Sequence, residues 1–485
     1  MAEEKVGAKY VLRAIPDKCY EEAIEAKARG EMIGWSASNF PQEIPTTLGI
    51  PVVYPESQAA QIAAKRGALP LLEHAEGDLG YSNDLCAYAR ISLAYADTGA
   101  CPNGERDMPL PDFVLCCNNI CDCMMKWYEN LGHALGIPVI MIDVPYSNGY
   151  DIDEKRIRYV GEQFRAAIRQ LEEITGKKWD EEKFQEVARR SSECGRLWLE
   201  AASYTNYKPS PVNGFELFNH MAVATVARGR EESVEAFRML IDDYRSFVKN
   251  NQSNWHAPEN HRIMFEGIAC WPYLRATLTP LKEAGVNTTA MVYGPAFGLT
   301  YSTFDEMVEA YCSVPNAVNL ERSVELRKKV GAAGKIEGGL VHINRSCKMW
   351  SGFAPELARR VSADLGVPMV TFDGDQADRA TSARRSTRRA SRGSSRSWNP
   401  QVRGHKPWPI SHRCSRCSKT SPPTRALSCR SIWRRENASS ALVRITRPRS
   451  WCTRQAPCHS AFGAAWARPT RRASTSRRFT VRFAR

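Results

Sequence analysis

The chain has 485 residues, of which 43% are hydrophobic and 25% charged, a balance that fits a globular protein of two or three domains. Its net charge of +14 is unevenly spread: residues 379–485 hold 25 Arg and two Lys against the single acid Glu436, which leaves the rest at −12 and implies no nucleic-acid partner for that body. No apolar run approaches the ~18–20 residues that cross a bilayer, and MAEEKVGAKY has no apolar signal core, so no membrane role and a cytoplasmic location are expected.

In chain order, the first expected element is a helix over 16–30, with Tyr20, Ala23, Ile24 and Ala28 at helical spacing. Candidate strands follow at 32–35, 52–54, 113–117 and 139–144, then at 262–266, 289–293, 338–344 and 369–372. Most are continuous apolar runs, as expected of parallel strands covered on both faces. Helical stretches such as 122–135 and 355–365 lie between them, so the pattern is β-α-β-α and the class α/β with Rossmann-like topology. Residues 151–257 show 3.6 periodicity instead (Ile157, Val160, Phe164, Ala167, Ile168, Leu171) and read as a helical insert. The expected layout is an N-terminal helical segment (1–30), an α/β domain (31–150), the helical region (151–257), a second α/β domain (258–378) and an irregular basic tail (379–485). The tail is rich in Arg and Ser, yet carries five Trp and five Cys. Disordered segments are poor in such residues, so out-of-frame translation of a GC-rich gene is preferred over a basic, nucleic-acid-binding extension. The Cys414–Cys417 pair there lacks a matching second pair for zinc.

Eleven cysteines precede residue 379. An odd number without an export signal argues against a disulfide framework and favours metal ligation plus buried thiols. Three of them stand where α/β proteins put ligands, beyond strand ends or at helix starts. Cys121 follows the strand FVLCC and the Asn118–Asn119 loop, Cys347 follows the strand ending VHIN, and Cys86 opens a helix after Asn83-Asp84-Leu85. Three thiolates hold three irons of a [4Fe-4S] cube and leave the fourth open. Core burial is the competing reading. Cys116, Cys123, Cys194, Cys270 and Cys312 read as core thiols and Cys117 is left open. A zinc site from Cys116, Cys117, Cys121 and Cys123 does not match two-pair spacing. The hydroxyls of Ser36 and Ser38 read from the residues alone as helix N-caps ahead of Glu43. Glu56 likewise reads as a solvated loop acid. There is no Walker A motif and no GxGxxG.

Ten stretches together resemble the 2-hydroxyacyl-CoA dehydratase / benzoyl-CoA reductase family, and its α-type dehydratase subunits in particular. They are GWSASNFPQEIP, YPESQAAQIAA, GYSNDLCAYARISLAYA, MPLPDFVLCCNNICDCMMKWYEN, IPVIMIDVPY, NGFELFNHMA, HRIMFEGIACWP, VYGPAFG, GGLVHINRSCKMWSG and FDGDQAD. The likeness spans nearly all of 16–378 and stops at Asp378. It implies two Rossmann-like domains plus a helical part, with a [4Fe-4S] cluster between the domains. It also implies that Cys86, Cys121 and Cys347 are the cluster ligands and that Ser38 and Glu56 contact the substrate hydroxyl. The implied reaction removes water from (R)-2-hydroxyglutaryl-CoA, or a related 2-hydroxyacyl-CoA, through a ketyl radical. In such a thioester the hydroxyl leaves from C2 while the proton leaves from C3, which the thioester does not acidify. One electron on the carbonyl reverses its polarity, expels the hydroxyl and acidifies C3–H. The implied partners are a homologous β-type subunit and an ATP-dependent iron–sulfur activator protein. The rival readings are a benzoyl-CoA reductase-type subunit and a protein that binds nucleic acid through its basic tail.

Overall fold

Eight short strands build two sheets. The first holds β1 (Gly34–Ser36), β2 (Val52–Val53), β3 (Phe113–Cys117) and β4 (Val139–Ile142) in the order β2-β1-β3-β4. The second holds β5 (His261–Glu266), β6 (Val286–Met291), β7 (Gly338–Asn344) and β8 (Met369–Gly374) in the order β6-β5-β7-β8. Every pairing is parallel. All five residues of β3 are buried, and so are all but the first of β5. That burial is why β3 is an unbroken apolar run, while β5 surrounds its apolar centre with the buried charges Arg262 and Glu266. The computed structural model describes residues 7–379 apart from 103, 105 and 150. The stretch expected to be irregular therefore lies outside the described residues from 380 onward. Among the described residues no helix is long and apolar enough to cross a membrane.

The two sheets thus repeat one topology, as expected of two Rossmann-like halves. In each, the chain leaves the first strand toward one neighbour and later returns on the other side. This leaves a crevice at the carboxyl ends of β1 and β3, and another at those of β5 and β7. Between the halves run the helices Glu154–Thr175, Glu181–Ser203, Glu216–Val226 and Glu231–Lys249. Asp153 and Asp180 cap the first two, each accepting a backbone N–H three residues on. The loop after β1 is anchored to this helical part by a buried network. Ser191, Tyr301 and Tyr311 all donate to the Glu43 carboxylate, and Arg228 donates to Tyr311. Burial alone would raise the Glu43 pKa; the charge of Arg228 and the three hydroxyls outweigh it and hold the carboxyl low.

Several boundaries differ from expectation. The helix expected over 16–30 is Ala8–Ala28 with Pro16 inside it. Its first turns bury Ala8, Leu12 and Ile15 against helices of the middle segment, and that packing outweighs the N–H that proline lacks. The helix expected from Pro355 begins instead at Lys348, so Cys347 is its N-cap. The sixth strand starts at Val286, not 289, because its first half is polar. Asn287 bonds with Asn213 and Glu259, and Thr289 donates to the Gly334 carbonyl, so buried partners replace the apolar signal.

Candidate active site

Polar side chains and thiols follow strand ends in both halves. Ser38 stands two residues past β1, Glu56 three past β2, Cys121 four past β3, Cys347 three past β7 and Gln376 two past β8. Cys86 arrives separately, as the N-cap of the helix Ala87–Thr98. Parallel strands point all their carboxyl ends one way, so these residues converge. Ser38, Glu56, Cys86, Cys121, Cys347 and Gln376 line one cavity of about 110 Å³. The three cysteines also line a second cavity of about 430 Å³, with Cys123, Asp84 and Lys348.

Each of the three sulfurs sits where backbone N–H groups are free to face it. Tyr88 and Ala89 donate to Cys86, Cys123 and Met124 to Cys121, and Trp350 to Cys347. These are helix N-termini, whose unpaired donors and positive dipole ends favour a thiolate. Side chains add to this. Gln376 Nε2 donates to Cys86 Sγ at 3.3 Å, and the Cys123 thiol bonds with Cys86 and lowers its pKa. Burial pushes Cys121 up to about 12 and Cys347 well above its ordinary value; Cys86 raises both further, and Cys121 adds to the rise at Cys347. The two halves are stitched together at this point. Ala87 N donates to Ser346 Oγ at 3.2 Å, and Ser346 N to Asp375 Oδ2 at 3.1 Å.

Glu56 is not a solvated loop acid. It lies in the first turn of the helix Pro55–Ala64, where Ser38 N and Tyr128 Oη each donate to it at 3.0 Å. Burial raises its pKa despite those donors. Nor do Ser36 and Ser38 cap a helix. The short helix Glu43–Thr47 has Gln42 as its N-cap, without a side-chain bond, and Ser36 donates to the Ala37 carbonyl. Ser38 turns into the cavity instead.

All five residues singled out from the sequence therefore line one cavity. Cys116, Cys117, Cys194, Cys270 and Cys312 are buried. Cys123 is a correction: it was expected in the core, but it is half-buried beside Cys86 and faces the larger cavity. The zinc arrangement of Cys116, Cys117, Cys121 and Cys123 is absent. Among the described residues no three His, Cys, Asp or Glu side chains are grouped to hold a single ion. Gln376 and Tyr128 escaped the sequence reading. The strand-end rule applied to β8 would have found Gln376; no signal marked Tyr128.

The family model described as 2-hydroxyglutaryl-CoA dehydratase, D-component, matches residues 37–389. The chain belongs to the 2-hydroxyglutaryl-CoA dehydratase D-component family. The match runs past Asp378, where the likeness had been expected to stop. The (R)-phenyllactyl-CoA dehydratase alpha subunit of Clostridium sporogenes is 55% identical, over 76% of this chain and 90% of its own length. The (R)-2-hydroxyglutaryl-CoA dehydratase subunit alpha of Acidaminococcus fermentans is 43% identical, over 76% and 92%. A benzoyl-CoA reductase subunit of Thauera aromatica is more distant, at 25% over 67% and 78%. The chain is thus a dehydratase component of this family, and dehydratases are hydro-lyases.

Proposed function

We propose that this chain is the α-type subunit of a 2-hydroxyacyl-CoA dehydratase, in which Cys86, Cys121 and Cys347 hold a [4Fe-4S] cluster and Ser38 and Glu56 handle the leaving hydroxyl. The observation that carries the reading is that these five side chains, drawn from both halves of the chain, line one cavity.

The donor set fits such a cluster. Burial holds the Cys121 and Cys347 thiols above their ordinary range, and a positive centre would stabilise all three sulfurs as thiolates. A lone zinc would draw every sulfur to ~2.3 Å of one point, whereas a cube seats each ligand on a different iron. Three ligands leave a fourth iron open, and when bound the cluster supplies a Lewis acid for a substrate oxygen.

The protein groups do the proton work. The Ser38 hydroxyl orients the C2 hydroxyl of the thioester. Glu56, kept protonated beyond the usual carboxylate range, gives its proton to the departing hydroxide, which leaves as water. The resulting carboxylate takes the proton from C3 and is restored to the acid. Ser38 N–H and Tyr128 Oη hold the carboxyl in place through both transfers. The electron that makes C3–H acidic enters from a separate ATP-dependent activator and is returned at the end of each turnover. A homologous β-type subunit completes the enzyme.

The test is anaerobic co-expression of the full chain with a β-type subunit and activator. Iron content, EPR and turnover of 2-hydroxyacyl-CoA thioesters are then measured. The reading expects about four irons in this chain and many turnovers per ATP. Iron-free chains without turnover would sink it. Stoichiometric ATP use with an aromatic thioester would favour the reductase instead.

A further inference from the structure

The cavity beside Ser38 and Glu56 also bears on which acyl group enters it, a question that rests on the dehydratase reading above. We propose that this subunit takes 2-hydroxyacyl groups with an apolar, aryl-sized side chain, and rejects the five-carbon diacid that the resemblance implies.

Much of the cavity wall away from Ser38 and Glu56 is apolar. Met124 and Trp127 come from the helix after β3, Val292 and Phe297 from the loop after β6, and Trp350 from the helix after Cys347. The aromatic groups hold one another in place. Tyr293 meets Phe297 edge-on at 5.8 Å between centroids and Trp350 at 6.4 Å. Such edge-to-face rings present flat, rigid surfaces against which a further ring packs.

Among the described residues that line this cavity there is no Lys, Arg or His. Its remaining polar groups are neutral amides and phenols, and its one carboxyl is Glu56. A distal carboxylate entering here would lose its hydration without gaining a cation. Lys348 lines the other cavity and is held there by Asp84. An aryl or branched alkyl side chain meets none of these costs and gains the apolar wall.

The experiment uses the reconstituted anaerobic holoenzyme and compares kcat/KM for (R)-phenyllactyl-CoA and (R)-2-hydroxyglutaryl-CoA. Calorimetric binding of both thioesters runs beside it. The expected preference for the aryl thioester is about 100-fold or more. Equal values, or a preference for the diacid, overturn the substrate assignment and leave the dehydratase reading standing. Turnover of neither thioester by an iron-free complex overturns the dehydratase reading itself. Val292→Lys, which adds a cation to the wall, is expected to narrow the preference by about tenfold. The wild-type ratio decides the matter even if that variant fails to fold.

Discussion

The side-chain amide of Gln376 donates to the sulfur of Cys86 across 3.3 Å, joining the carboxyl end of β8 to a helix start 290 residues earlier. Its orientation is not free. Asn344 Nδ2 donates to Gln376 Oε1 at 2.7 Å, which fixes the amide flip and turns Nε2 toward the sulfur. Hydrogen bonds to cluster sulfurs stabilise the more negative, reduced state. Gln376→Leu is therefore expected to lower the cluster's reduction potential. A differential of about 1.4 kcal/mol corresponds to ~59 mV for one electron. Anaerobic EPR-monitored redox titration checks this; an unchanged potential would mean the bond is only structural.

The cysteines are expected to divide into two classes. Cys86→Ala, Cys121→Ala and Cys347→Ala should each lose most iron, whereas Cys123→Ala and Cys116→Ala should keep it. Cys123 bonds with Cys86 and faces only the larger cavity, while Cys116 is fully buried in β3. Iron analysis of purified chains reads the division directly. Iron lost in the Cys123 variant and retained in the Cys347 variant would reverse the ligand assignment.

Glu56 should set the alkaline limb of the pH profile. Its pKa is raised by burial, so the proton-donating form persists above the ordinary carboxylate value, and activity should fall as pH rises through the raised value. In Glu56→Gln that limb should vanish, with kcat down about 10²–10⁴-fold. The stability that Glu56 contributes should fall over the same rise in pH. The folded state binds this proton more tightly than the unfolded chain, so the group's contribution to stability falls as pH rises above the unfolded value. The Gln variant should therefore melt no lower than wild type at pH 7. A lower melting temperature would assign Glu56 a structural role.

A packing contact far from the sulfurs should be felt in the cavity. A Cβ on Gly195 would overlap the Leu299 carbonyl oxygen and lie 2.9 Å from its carbon. Those are backbone atoms, two residues from Phe297 in the cavity wall. Gly195→Ala is expected to cost about 1–3 kcal/mol in denaturant unfolding and to raise KM for the thioester. A neutral effect on both would show that the 294–301 loop yields freely.

Much of this was legible in the residues themselves. The apolar runs at 113–117 and 338–344 announced parallel strands because both faces of those strands are covered. Cys121 and Cys347 were conspicuous because they follow such runs directly. Less was legible where buried polar groups satisfy one another. The first half of β6 reads as polar, and Ser38 and Glu56 read, without the resemblance, as a cap and a surface acid. Their partners, Tyr128 for Glu56 and the Glu43 network beneath the Ser38 loop, lie tens to hundreds of residues away.

The sequence by itself determined the α/β class, the position of most strands and the chemical types that follow their ends, because burial on both faces and backbone geometry act over a few neighbouring residues. Only the tertiary structure decided that five of those residues share one cavity, that Cys123 lines the second cavity beside the three sulfurs while Cys116 lines neither, and that the wall of the first is rich in aromatic groups and free of Lys, Arg and His among the described residues. The reason is that proximity between residues 38, 121 and 347 is a property of how two parallel sheets face one another. No local pattern encodes that distance.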